Sequence, residues 1–126
     1  MASTPEAKAK SAVKKLLLRL GYELGIDYAL MSNAAGGVGF STGRADSTLY
    51  WRATHNLAAI PVELEVKAKD NYPTPRQKIM LEAAHKAGAH ALVIWGDRQA
   101  DLDYLERFLT TLTHHTEPVL KLGKAK

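Results

Sequence analysis

Apolar and charged residues alternate strictly along Val62-Glu63-Leu64-Glu65-Val66-Lys67, with Val62, Leu64 and Val66 on one side and Glu63, Glu65 and Lys67 on the other. A period of two is that of a β-strand with one face on a core. Before it, Val13, Leu16, Leu17 and Leu20 recur at helical spacing behind Thr4-Pro5, a hydroxyl N-cap followed by proline in the first turn, and Gly21 is placed to end that helix. Tyr28 to Ser32 reads as a short edge strand. Ser47 to Arg52, with Thr, Tyr and Trp, reads as another, and His55-Asn56 marks a turn into the central strand. After it, Thr74-Pro75-Arg76-Gln77 carries the parts of a capping box and opens a second helix. Ile79, Met80, Ala83, Ala84 and Ala87 form that helix's apolar face, and Gly88 ends it. The run Ala91-Leu92-Val93-Ile94-Trp95 has no alternation, as expected of a strand covered on both faces. A last helix has Leu102, Leu105, Phe108, Leu109 and Leu112 as its buried stripe. From Thr113 the chain turns polar and then basic, and is expected to fray.

The predicted order is helix, three strands, helix, strand, helix (αβββαβα). An antiparallel hairpin followed by a strand–helix–strand unit implies the α/β class, with a mixed β-sheet flanked by helices on both faces. The 126 residues are read as a single domain, its core at about 4–112 and a flexible basic tail at 113–126.

Composition narrows the chemistry. Cysteine is absent, which excludes disulfides and thiolate–zinc sites. No apolar run approaches the ~18 residues of a membrane span, and the Ala/Lys-rich start has no signal-peptide core. The expectation is a soluble, cytoplasmic protein with no membrane partner. The net charge of +4 is uneven: Lys8, Lys10, Lys14, Lys15 and Arg19 lie in the first helix, and Lys121, Lys124 and Lys126 in the tail. Such clustering suits a polyanionic partner or, equally, a solubilising helix face. The glycine-rich stretch from Asn33 to Gly43 lacks the Gly-Lys-Ser/Thr ending of a phosphate-binding P-loop and reads as a surface loop near the site.

The charged side of the central strand is the unusual feature. Charged groups spaced by about 7 Å on one strand face are costly if buried unpaired. A divalent cation against that face accounts for them. Asp46 opens the preceding strand, and an antiparallel hairpin can return it to Glu65 and Lys67. Metal-assisted phosphodiester hydrolysis needs oxygen ligands that leave waters free and a cation to neutralise the phosphate. Asp46, Glu65 and the Val66 carbonyl would be the ligands, and Lys67 would orient the water or stabilise charge. The competing reading is a salt-bridged Glu65–Lys67 pair on an exposed strand. Glu63 is read as a peripheral or dimer-facing charge.

Projecting the first helix's stripe back from Leu20 through Val13 reaches Glu6, in line with the core face; a helix-dipole role is the alternative. Gln77 is either an accessory site residue or simply the capping partner of Thr74. The five histidines show no ligand spacing.

Asp, then about twenty residues, then Glu-x-Lys resembles the pattern of the PD-(D/E)XK nuclease superfamily. Gly43-Arg44-Ala45-Asp46 resembles the Gly-x-Pro-Asp of its VRR-NUC branch, with Ala45 in place of the usual proline. Val62 to Lys67 resembles that family's Glu-x-Lys strand, and Thr74-Pro75-Arg76-Gln77 its Ser-x-x-Gln helix start. Ala87 to Val93 resembles its following glycine-led strand, and Glu6 falls where the family carries a first-helix glutamate. The resemblance implies a restriction-endonuclease-like core of minimal phage or bacterial type and a Mg²⁺- or Mn²⁺-dependent nuclease. Asp46, Glu65 and Lys67 would be catalytic, with Gln77 and Glu6 accessory. It further implies DNA as substrate, branched or a four-way (Holliday) junction, cut by a homodimer. A non-catalytic nucleic-acid-binding module, a nonspecific nicking nuclease and an RNA-processing enzyme are the alternatives.

Overall fold

A computed structural model describes residues 4–33 and 43–123. The glycine-rich stretch between Asn33 and Gly43, together with Lys124 and Lys126, lies outside the described residues.

The first helix, α1 (Pro5–Leu24), starts as its sequence dictates: the Ala7 N–H donates to Thr4 Oγ1 at 3.0 Å. It does not stop at Gly21. It runs to Leu24 and ends on Gly25 in the left-handed region (φ 64°). Gly21 has a packing role instead, since a Cβ there would lie 2.8 Å from the Tyr28 ring.

Five strands follow in spatial order β1-β2-β3-β4-β5. They are β1 (Tyr28–Ser32), β2 (Ser47–Trp51), β3 (Ile60–Lys67), β4 (His90–Trp95) and β5 (Leu120–Lys121), with α2 (Pro75–Lys86) and α3 (Gln99–Thr111) inserted before and after β4. The β1–β2 and β2–β3 pairs are antiparallel, whereas β3–β4 and β4–β5 are parallel. The sheet is therefore mixed, and the protein is α/β. The alternation in β3 places Val62, Leu64 and Val66 in the larger core with α1 and α3. On the opposite face, Ala45, Leu81, Ala91, Val93 and Trp95 form a second core under α2. All six residues of β4 are buried, which matches its lack of alternation. Among the described residues, no helix is long and apolar enough to cross a membrane.

Two further expectations fail for physical reasons. Of the predicted apolar face of α2, Ile79 remains 63% exposed, and Leu81 is the helix's one buried residue. The inward side carries Gln77, Leu81, Ala84 and His85 at helical spacing, so polar residues occupy inner positions and mask the period. The tail does not fray at Thr113. Val119 receives the Ala91 N–H at 2.9 Å and gives its own N–H to His90 Nδ1 at 3.0 Å, which docks β5 on β4. Lys121 turns inward, where its Nζ donates to the Val93 carbonyl at 2.8 Å and pairs with Asp101 at 3.2 Å.

His90 is only 4% exposed and packs edge-on against Phe108. Burial first, and the neighbouring His85 second, push its imidazole below the usual histidine range. The unfolded chain thus takes up a proton at a higher pH than the folded one, so the contribution of His90 to stability falls as pH drops below about 6.5. The expected slope, read from urea unfolding midpoints, is up to about 1.4 kcal/mol per pH unit. His90→Gln is expected to flatten it.

Candidate functional site

The β2–β3 ladder ends at the pair Ser47–Leu64. One residue further, side chains replace backbone partners. The Asp46 N–H donates to Glu65 Oε1 at 3.0 Å, and the Val66 N–H donates to Asp46 Oδ2 at 3.1 Å. Each carboxylate is thereby locked by the backbone next to the other. Upstream, Gly43 makes this possible: its φ is 86°, and a Cβ would lie 2.7 Å from the Arg76 side chain at the start of α2. Ala45, 4% exposed, tucks into the second core and fixes the approach of Asp46.

Glu65 is 1% exposed, the most deeply buried acid among the described residues. Its second oxygen, Oε2, faces Lys67 Nζ at 3.4 Å and receives Gln77 Nε2 at 3.4 Å. Gln77 uses both ends of its amide. Its Oε1 accepts the Thr74 N–H at 2.9 Å, completing the capping box, while its Nε2 reaches Glu65. The capping and site readings of Gln77 are therefore compatible in geometry.

The Lys67 carbonyl accepts the Gly96 N–H, so it points toward β4. Carbonyl direction alternates along a strand. The Val66 carbonyl consequently faces the β2 side, where Asp46 lies. The Asp46 and Glu65 carboxylates and this carbonyl thus lie together at the end of the β2–β3 ladder, with the Lys67 ammonium beside Glu65. Among the described residues, no group of three or more His, Cys, Asp or Glu side chains gathers at ligand distances. A cation here would rely on two carboxylates, the carbonyl and waters, a hard oxygen donor set of the kind Mg²⁺ takes.

Glu6 is half-buried in the first turn of α1 and bonds to none of these groups among the described residues. Lys10, one turn further on, is the α1 residue at the site, its Nζ 3.9 Å from Asp46 Oδ1. Sequence reasoning assigned Lys10 only to a basic face. Its spacing of four from Glu6 was the available signal. Glu63 accepts a hydrogen bond from Thr48 Oγ1 and sits 3.8 Å from Arg44 Nε, apart from the Asp46–Glu65 pair.

Burial, and then the charge of Asp46, push the Glu65 carboxyl up to about 7, although Lys67 and the Asp46 N–H act in the opposite direction. The folded protein therefore holds a proton that the unfolded chain releases near 4.5. In the metal-free protein this contribution is full below pH 4.5 and is lost as pH rises through about 7. Urea unfolding in EDTA is expected to show the decline, and Glu65→Gln to remove it. The His90 slope has the opposite sign, so each is read from the difference between wild type and its own variant.

Compared with family models, curated proteins and solved structures, the chain has no significant match.

Proposed function

We propose that the protein is a divalent-metal-dependent endonuclease that hydrolyses DNA phosphodiester bonds on a restriction-endonuclease-like core, as its likeness to the VRR-NUC branch of the PD-(D/E)XK superfamily implies. The observation that carries the reading is the backbone-locked Asp46–Glu65 pair with Lys67 3.4 Å from Glu65. Without a cation, the charge of Asp46 helps to hold Glu65 protonated near neutral pH. An arrangement that keeps two acids so close and adds an ammonium suits a site that gains positive charge when it works.

Asp46, Glu65 and the Val66 carbonyl would hold Mg²⁺ or Mn²⁺. When bound, the ion supplies positive charge to the phosphate and acidity to a water. Lys67, 12% exposed along its side chain, offers an ammonium held by Glu65 to the negative charge that develops on phosphate oxygens. Gln77 fixes the Glu65 carboxylate from an anchored helix start, which limits its rotation. Glu6 stays accessory in this reading, through the helix that carries Lys10. The substrate is DNA with a branched or four-way junction structure, cut in paired fashion by a homodimer.

The test is cleavage of a labelled four-way junction, a linear duplex and a single strand, each with Mg²⁺, Mn²⁺ and EDTA. Metal-dependent paired cuts confined to the junction are expected. Cutting of all three keeps the nuclease and discards the structure specificity. Salt-sensitive binding without cutting under any metal contradicts the nuclease and leaves a binding module.

A further inference from the structure

We infer that the cleft between α1 and strands β1 and β2 is a phosphate-binding subsite for a nucleic-acid strand, with Lys10 and Lys14 as its cationic contacts; this rests on the nuclease reading of the adjoining carboxylates. The cleft has a volume of about 140 Å³, an apolar floor that includes Val13, Leu64 and Val66, and a rim that includes Lys10, Lys14 and Asp46. Asp46 and Val66 both line it, so the cleft adjoins the candidate site.

Four of the five basic residues of α1 divide into two groups, and the fifth, Lys8, is exposed near the helix start. Arg19 is neutralised within the fold, where it pairs with Glu23 and with Glu106 of α3. Lys15 lines a hollow with Asp103 and Glu106 on the same side. Lys10 and Lys14 stand four residues apart, so they are neighbours on one helix face, and they border the cleft instead. Asp46 is the sole acid among the described residues that line it. In the nuclease reading, a cation engages Asp46, which leaves Lys10 without the partner now 3.9 Å away. Two ammonium groups over an apolar floor then face a cleft with no acid of its own to satisfy them. Low-polarity walls strengthen their attraction for an anion. The cleft is too small for a base pair and large enough for a phosphodiester group. Its position beside Asp46 suits a phosphate adjoining the scissile one.

The experiment measures binding of a fluorescein-labelled oligonucleotide, single-stranded and as a duplex, over a series of salt concentrations at a fixed concentration of Ca²⁺, a hard cation that takes oxygen ligands of the kind Asp46 offers. Wild type is compared with Lys10→Gln, Lys14→Gln and the charge-matched control Lys15→Gln. Each cleft variant is expected to weaken binding several-fold and to reduce the salt slope by about 0.7 on the single strand or 0.9 on the duplex. Lys15→Gln is expected to leave the slope unchanged. Competition by inorganic phosphate separates a site for free phosphate, which would compete at concentrations close to its own affinity, from one that needs the polymer. Equal losses in all three variants, no loss in the cleft variants, no measurable binding by wild type, or displacement by free phosphate at low concentration would each overturn the inference. Cleavage with Mn²⁺ is followed in parallel, where the cleft variants should raise KM and keep kcat. If the lysine effects appear but the wild type never cleaves, the nuclease reading fails while the subsite stands. If Asp46→Asn loses cleavage while the lysine variants bind as the wild type, the reverse holds.

Discussion

Asp46→Asn is expected to lower phosphodiester hydrolysis by about a thousandfold, corresponding to roughly 4 kcal/mol of lost transition-state stabilisation. The substitution is nearly isosteric, and its effect is confined to charge. An asparagine Oδ1 can still accept the Val66 N–H that now lies 3.1 Å from Asp46 Oδ2. The residue's own N–H still meets Glu65 Oε1. The backbone lock therefore survives, and the thermal midpoint in EDTA should stay level or rise. Removing the Asp46 charge also removes the second largest cause of the Glu65 shift, so Glu65 should titrate below about 7 in the variant. Cleavage with Mn²⁺, read beside a circular-dichroism melt, checks both halves. Activity retained within tenfold in a folded variant would count against the site.

The second large effect is on stability. Gly96→Ala is expected to cost about 3 kcal/mol, at the upper end of the usual range for overpacking. Gly96 follows β4 directly, and a Cβ there would lie 2.2 Å from the Ala9 carbonyl oxygen and 2.7 Å from the Ala9 Cα. These are backbone atoms of a helix, so no rotamer change relieves the clash. Either α1 lifts from the sheet or the β4–α3 turn shifts. Ala9, Val13, Leu17 and Leu20 are at most 1% exposed, so lifting α1 opens the larger core. It also moves Lys10, the residue next to Ala9, away from Asp46. Urea unfolding monitored by tryptophan fluorescence measures the loss. A midpoint unchanged from wild type would mean that α1 does not approach the turn so closely.

The parts of this fold that could be read from the sequence are those where one physical pressure acts alone. The alternation from Val62 to Lys67 and the continuous run from Ala91 to Trp95 reflect burial on one face and on two. Residues on α2 obey two pressures, because its inner side both packs on the sheet and borders the acids. Gln77 and His85 occupy inner positions, and the apolar period dissolves. The β5 segment was hidden for a different reason. Its docking rests on backbone hydrogen bonds at Val119 and on Lys121 reaching inward, and neither leaves an apolar pattern. Gly21 was misread because a glycine that admits an aromatic ring looks, in sequence, like one that ends a helix.

The candidate site was legible as residue types and less so as contacts. Asp46, Glu65, Lys67 and Gln77 are brought together, and the Val66 carbonyl faces the same region. Glu6 is not brought to them among the described residues. The helix delivers Lys10 instead, because the turn after Glu6 is the one that overlies Asp46. A stripe projected from Leu20 identifies the correct face but not which turn of the helix meets the strand ends.

The central claim is that Asp46 and Glu65 together hold a divalent cation, and calorimetric titration of Mn²⁺ into the wild type, Asp46→Asn and Glu65→Gln tests it most directly. The account predicts saturable binding by the wild type that both variants lose while remaining folded. Mn²⁺ binding of equal affinity in all three proteins, or none in the wild type, would contradict it.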